Sequence, residues 1–306
     1  MTTYRVGGSA ALFVRARDHG DLVAVAAARR ASGLPVLVVG RGSNLLIADD
    51  GFWGIAVSTA DLAGDIELRH DVSGDHRVIT AAGGGVRLPV LARQTATAGL
   101  IGFEWAVGVP GSIGGAVKMN AGGHGSDMAS VLIDVDVVDL AGGGPAEPRR
   151  VPAGDLGLRF RGSDVGDDTI VVRAYLALRE GEPTAALAEI DEIVRWRRAN
   201  QPGGQNAGSV FVNPVPGEVS AGSLIDRAGL RGLRIGSAWV SDKHANFIQA
   251  SDGGTAADVR AVMEEVRRRV EVATGYRLRS EVRLVGFDRS IDGVGAGSGG
   301  EDAGDV

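Results

Sequence analysis

The sequence predicts an α+β protein built from more than one unit, and three observations carry that expectation. A β-α-β pattern opens the chain, four strand-like runs dominate its middle, and a fresh helix followed by mixed helix and strand signals closes it. With 306 residues, 44% of them hydrophobic, the chain is long enough to bury a sizeable core in two or three domains. Boundaries are expected near 60 and 180, giving units over 1–60, 61–180 and 181–287, with a tail over 288–306.

The opening unit begins at Gly7-Gly8 and continues into a short strand, ALFVRA. A helix follows from about Asp21 to Arg30, with Leu22, Val25 and Ala26 on one face and Gly33 as its stop. LPVLVVG is the next strand. Residues 40–47, GRGSNLLI, start as G-x-G after a strand but lack a third glycine and a helical period, so the dinucleotide fingerprint fails on context. ADDGFWG reads instead as a turn before a strand at Ile55 to Val57. Alone, GRGSN reads as a plain turn; its glycines with Ser43 and Asn44 also suit a backbone nest that gathers a phosphate.

The middle unit carries the strands IELRH, RVITAA, VLIDVDVVDL and IVVRAYLAL, and a helix from about Leu88 to Ala98 closed by Gly99. Its residues 100–125, LIGFEWAVGVPGSIGGAVKMNAGGHG, mix glycines with Phe103, Trp105, Val107, Ile113 and Met119. That run is too apolar for a linker, and glycines among buried side chains imply a backbone that something approaches closely. A flat, phosphate-bearing cofactor suits it. GLRFRGSDV is a loop that presents Arg159 and Arg161.

The last unit starts with a helix from Thr184 to about Arg198, with Leu187, Ile190 and Val194 on its apolar face and Gln201-Pro202-Gly203-Gly204 as its end. NAGSVFVNP follows at 206–214. Thr255 with Asp258 resembles a capping box, Val259, Val262, Val266 and Val270 form a buried stripe, Gly275 stops the helix, and SEVRLVG is the closing strand. The tail beyond Phe287 is rich in Gly, Asp and Ser without periodicity and is expected to be disordered.

Composition excludes several classes. A formal charge of -6 argues against a nucleic-acid partner, which leaves a basic footprint. The absence of cysteine removes disulfides, thiolate nucleophiles and Cys-ligated metals. His19, His70, His76, His124 and His244 show no metal-ligand spacing, so no metal is expected. The start MTTYRVGGSA is no signal sequence and no run of about 18 apolar residues occurs, so no membrane association and a cytoplasmic location are expected.

Five segments taken in order, VGRGSNLLIADDGFWG, GFEWAVGVPGSIGGAVKMNAGGHG, LRFRGSDV, NAGSVFVNP with AGSLIDRAGLRGLRIGSAWVSDKHANFI, and SEVRLVG, resemble the UDP-N-acetylenolpyruvoylglucosamine reductases. The likeness spans about residues 3–287. It implies a two-domain FAD-binding fold of the vanillyl-alcohol oxidase type plus a C-terminal α+β substrate domain. It also implies noncovalent FAD, NADPH as co-substrate and a UDP-sugar substrate.

By that resemblance Arg161 binds the substrate carboxylate, Glu281 assists the enolate and Ser209 donates a proton. Gly40, Gly42, Ser43, Asn44, Gly108, Pro110, Gly111, Ser112, Gly114, Gly115 and Asn120 carry over as FAD-contacting positions. Asn213, His244 and Asn246 carry over as substrate-side residues. No G-x-S-x-G elbow surrounds Ser209, which agrees with an acid rather than a nucleophile. As isolated residues, Ser209 is a strand-edge hydroxyl, Glu281 a strand-face carboxylate, Arg161 a surface arginine, and His244 equally a hydrogen-bonded core histidine. Phe160, Asn200 and Val212 depart from the family, which often has tyrosine at the first position and lysine at the other two. The same fold also serves other FAD-linked oxidoreductases, and a paralogue that binds flavin or nucleotide sugar without turnover is a further alternative.

Overall fold

The computed structural model describes residues 1–73, 77–142 and 146–287; the expectation for the tail lies outside them. The opening β-α-β pattern forms as β1 (Ala10–Arg15), α1 (His19–Ser32) and β2 (Val36–Val39). Asp18 caps α1 by accepting the Asp21 N–H, and Gly33 ends it in the left-handed region with φ 68°. Next come β3 (Leu45–Ile47) and β4 (Phe52–Ser58). Although adjacent in sequence, these two do not pair. β4 inserts between β1 and β2 in an all-parallel sheet of order β1-β4-β2, leaving β3 to find a partner elsewhere. Leu22, Val25, Ala26, Ile55 and Val57 form the core under this sheet.

The middle of the chain builds an antiparallel sheet around β12 (Thr169–Glu180), in the order β11-β10-β12-β6-β5. Its other members are β5 (Ile66–Ser73), β6 (Arg77–Gly83), β10 (Leu132–Asp139) and β11 (Arg149–Pro152), with the short β7 (Leu100–Ile101) paired to β12. One face of the sheet is covered by α2 (Leu88–Thr97), the 3-10 turn Glu104–Gly108 and α3 (Ile113–Lys118), whose buried Leu91, Phe103, Trp105 and Ile113 share one cluster with Val135, Ala174 and Leu176. A small hairpin of β8 (Gly122–Gly123) and β9 (Ser126–Asp127) ends the glycine-rich run.

Helix α4 (Pro183–Asn200) was expected to open the last unit, yet its buried Ala186, Ile190 and Ile193 belong to this second cluster. The difference has a simple cause: the buried stripe of α4 lies against α2 and the 104–108 turn. The C-terminal unit comprises α5 (Ala221–Arg227), the meander β13 (Arg234–Ile235), β14 (Ala238–Val240) and β15 (Ile248–Ala250), and α6 (Ala256–Thr274). Thr255 caps α6 by accepting the Asp258 N–H, as the sequence predicts, and Val259, Val262, Val266 and Val270 are buried against the meander. Among the described residues no helix is long and apolar enough to cross a membrane.

The chain closes with β16 (Arg283–Val285), which pairs in parallel with β3 in register Arg283↔Leu45, Leu284↔Leu46 and Val285↔Ile47. Asp49, just beyond β3, accepts from the N–H groups of Ala256 and Ala257 at 2.8 and 2.9 Å, so the first turn of α6 is also fastened to the opening unit. The extreme N-terminus joins the same junction: Tyr4 and Val6 are buried with Leu46, Phe211 and Val282.

Tyr4 is fully buried and its hydroxyl has no hydrogen-bond partner among the described residues. An unsatisfied buried hydroxyl costs about 1–3 kcal/mol. Tyr4→Phe is therefore expected to raise stability by about 1 kcal/mol or more, read as a higher urea midpoint with unchanged slope; a lower midpoint would show that the hydroxyl is bonded.

Candidate active site

A cleft of about 270 Å³, partly open to solvent, is walled by the two glycine-rich loops, the end of α4, residues 207–209 and the entry to β16. The 40–44 loop leaves β2 with Gly42 at φ 64°, where a Cβ would also meet the Met1 carbonyl oxygen at 2.5 Å. Ser43 Oγ donates to Pro110 O at 3.1 Å and joins this loop to the second one. The backbones crowd there: a Cβ on Gly40 would come within 2.5 Å of Ser112 Oγ. Gly40, Gly42, Ser43, Asn44, Gly108, Pro110, Gly111, Ser112 and Gly115 all line the cleft.

Two expected loop residues do not. Gly114 donates its N–H to Gly84 O at 2.9 Å and seats α3 on the sheet, where a Cβ would lie 3.0 Å from Val171 O. Asn120, 3% exposed with φ 38°, spends its side chain within the protein. Its Nδ2 donates to Asp127 Oδ2 at 3.1 Å and Arg159 O at 3.2 Å, and its Oδ1 accepts the Ala129 N–H at 2.9 Å. Its work is to hold the Arg161 turn.

In that turn Arg159 and Gly162 exchange backbone hydrogen bonds of 2.9 and 3.1 Å, and Arg161 sits at φ 57°. A non-glycine residue held there costs on the order of 1–3 kcal/mol and aims the side chain. Arg161 Nη2 donates to Gly122 O at 3.0 Å, and Nε lies 3.2 Å from Glu281 Oε1. Nη1 has no partner among the described residues. Burial pushes the Glu281 carboxyl above its ordinary pKa, and the Arg161 guanidinium pulls it part of the way back.

Glu281 is fixed by its main chain. Its carbonyl accepts from Asn44 Nδ2 at 2.9 Å and its N–H donates to Val210 O at 2.8 Å. The second bond sets Ser209 beside it. Ser209 follows Gly208, whose φ is 77° and whose N–H is held by Asn206 Oδ1 at 3.0 Å. Ser209 lines the cleft, and its hydroxyl makes no hydrogen bond among the described residues, leaving it free for a ligand. Arg161, Ser209 and Glu281 thus line one cleft, the first and last of them paired.

None of the three substrate-side residues is among those lining the cleft. Asn213 Oδ1 accepts the Ala221 N–H at 3.1 Å at the start of α5. His244 packs edge-on against Phe247 at 4.7 Å, and its Nδ1 accepts the Asn246 N–H at 3.2 Å. Burial, helped by Arg231, lowers the His244 pKa and so preserves that acceptor. Asn246 is 4% exposed and bonds the Phe211 peptide on both sides. The departures Asn200 and Val212 also lie outside the lining: Asn200 Nδ2 donates to Trp196 O at 2.8 Å, and Val212 is buried. Phe160 lies under the Arg161 guanidinium at 4.8 Å.

Sequence reasoning missed four cations of the cleft, Arg41, Lys118, Arg197 and Arg283. Arg283 stands two residues beyond Glu281 in a strand signal, where alternation puts both on one face; that spacing was available. Lys118 and Arg197 had no such signal. Lys118 Nζ reaches Val165 O, Gly166 O and Asp167 Oδ1 at 2.8, 2.9 and 3.0 Å, and Arg197 donates to Gly108 O and, at 2.8 Å, to Gln201 Oε1.

With this geometry in place, known proteins supply a direct comparison. A profile for an FAD binding domain matches residues 10–144, and one for the C-terminal domain of UDP-N-acetylenolpyruvoylglucosamine reductase matches residues 200–285. The reductase of that name from Heliobacterium modesticaldum is 43% identical over 96% of this chain and 91% of its own. The chain belongs to the UDP-N-acetylenolpyruvoylglucosamine reductase family. The Gloeobacter violaceus member is 42% identical over 94% of this chain and 93% of its own. The crystal structure of the Thermus caldophilus reductase superposes with a TM-score of 0.71 at 33% identity, covering 93% of this chain and 95% of that one.

The fold is therefore that of an FAD-dependent oxidoreductase, and the site fits the cofactor on its own terms. Ser112 lines the cleft, is 2% exposed, and its Oγ lacks a partner among the described residues, as a donor awaiting a ligand oxygen would be. The glycines beside it admit a ligand against the main chain. Residues 40–44 and 108–115 would hold FAD. His124 packs on Trp196 at 5.3 Å, outside the lining.

One ionic link spans the cleft floor. Arg283 forks onto both Asp167 oxygens at 2.8 Å while Lys118 meets one of them. Burial opposes ionisation of Asp167, but the two cations outweigh it and hold the carboxyl at about 2. A depressed carboxylate contributes stability above its unfolded pKa of about 3.9 and loses it as pH falls toward the folded value. Asp167→Asn should lower the melting temperature at pH 7 and flatten its fall between pH 4 and 2; an unchanged acid limb would refute the link.

Proposed function

We propose that the protein reduces UDP-N-acetylglucosamine enolpyruvate to UDP-N-acetylmuramate at the expense of NADPH, a step in peptidoglycan precursor synthesis. The observation that carries this reading is the meeting of Arg161, Ser209 and Glu281 against the FAD loops, although 120 positions separate the first and last of them. FAD, when bound, supplies the two-electron relay between NADPH and carbon 3 of the enolpyruvyl group. Both partners are phosphorylated small molecules, which suits a cytoplasmic site of action.

The residues then have the following work. Arg161 offers its free Nη1 to the substrate carboxylate, and its planar fork and permanent charge match the negative charge that grows there as hydride reaches carbon 3. Its conformation is set beforehand by the Gly122 carbonyl and the strained turn, so little reorganisation is needed. Glu281, with its pKa raised by burial, retains a proton more readily than a solvated glutamate and can donate a hydrogen bond to the enolate. Ser209 hands its hydroxyl proton to carbon 2, completing the saturated lactyl ether, and recovers a proton from water in the open cleft. A serine is a weak acid, but the carbanion is strongly basic and the hydroxyl is held in position without a competing partner.

Purified protein is expected to be yellow, to release free FAD on denaturation, to bleach on addition of NADPH and to recover colour on addition of the enolpyruvyl sugar nucleotide. Bleaching without recovery on that substrate would sink the proposal. Ser209→Ala is expected to leave bleaching by NADPH intact while slowing recovery by about 100-fold to 10,000-fold, measured by rapid mixing. Equal slowing of the two half-reactions would remove Ser209 from its role as acid.

A further inference from the structure

The hydroxyl of Ser209 is useful only if it is held still, yet the side chain has no hydrogen bond of its own among the described residues. Gly208 before it, at φ 77°, belongs to a residue type that resists no rotation. The restraint must come from the residues that follow. There the main chain is held from two sides. On one side Glu281 N–H donates to Val210 O at 2.8 Å and Val212 N–H donates to Arg279 O at 2.9 Å. On the other side stands a single residue, Asn246.

Asn246 O accepts the Val210 N–H at 2.9 Å, which fixes the peptide plane joining Ser209 to Val210. Its side chain then copies a strand partner for the next residue: Oδ1 accepts the Phe211 N–H at 3.0 Å, and Nδ2 donates to Phe211 O at 2.8 Å. All three bonds are shielded from water, since Asn246 is 4% exposed, Val210 0% and Phe211 1%. Asn246 is itself anchored by the His244 ring. No other side chain among the described residues bonds the 209–212 main chain.

We propose that Asn246 is a positioning residue for the proton-transfer step: it acts on carbon 2 of the substrate only through the orientation of Ser209. This rests on the reading of Ser209 as the acid. Asparagine suits the task because one side chain presents an acceptor and a donor in a plane with the spacing of a peptide group. Alanine loses both bonds, and aspartate loses the donor and sets an oxygen against the Phe211 carbonyl.

The test is a double-mutant cycle on the separated half-reactions. Asn246→Ala in the FAD-loaded enzyme is expected to keep flavin reduction by NADPH within about threefold, because a misplacement near 1 Å costs on the order of 100-fold only in the step that uses the displaced group. Recovery of colour with the enolpyruvyl substrate should slow by about that 100-fold, with the half-saturating substrate concentration unchanged. In a Ser209→Ala background the same substitution should add less than about threefold. An equal factor with and without Ser209, or a raised half-saturating concentration at constant maximal rate, overturns the proposal, the second outcome returning Asn246 to substrate contact. Should Asn246→Ala fail to load FAD, Asn246→Asp carries the same comparison with the same outcomes. A parent enzyme that never recovers colour with this substrate fails the functional reading instead, and so remains distinguishable.

Discussion

The site depends on the parallel pairing of β3 with β16. Three residues near the start of the chain and three near its end form this ladder, and it is flanked by two bonds that reach into the cleft. Asn44 donates to the Glu281 carbonyl and accepts through its own carbonyl from the Arg283 N–H. A parallel pair as short as this is weak alone. It persists because Leu46 is fully buried among Tyr4, Phe211 and Val282, and because Asp49 holds the first turn of α6 beside it. Break this junction and Glu281 separates from the 40–44 loop.

Around it the polar groups divide by whether the protein satisfies them. Asn120 and Asn246 are almost wholly buried and bonded on both faces of the amide, so each behaves as an inserted peptide unit that pins a neighbouring strand or turn. Ser112 and Ser209 are the opposite case. They stand on the cleft wall with hydroxyls that no described residue engages. The saturated amides pin main chain, while these hydroxyls stay vacant.

Charge follows the same logic. Lys118 and Arg283 share Asp167, so the cleft floor is braced by ions whose donors are committed. Arg161 keeps Nη1 uncommitted among the described residues. Its pairing with Glu281 at 3.2 Å is part-buried, where charge is felt more strongly than at a wet surface.

Much of this was legible beforehand. Periodicity located α1, α4 and α6 and the strands of the middle sheet. The ordered motifs pointed to Arg161, Ser209, Glu281 and the glycine-loop residues, and the structure sets these three and most of the loop residues around one cleft. Sequence also marked the polar residues of SDKHANFI, with Asn246 on the substrate side and His244 either there or in the core, since a motif records that a residue matters and is silent on which way it faces. The packing of α4 with the middle sheet and the pairing of β3 past its neighbour β4 could not be read from local pattern, which describes a face or a turn and carries no address for the partner. By itself the sequence determined the elements, their caps and the chemical groups available, because these depend on residues within a few positions of one another. Tertiary structure alone decided which hydroxyls stay free and which amides are consumed, because hydrogen-bond satisfaction depends on partners that may lie two hundred residues away, as Asn44 and Glu281 do.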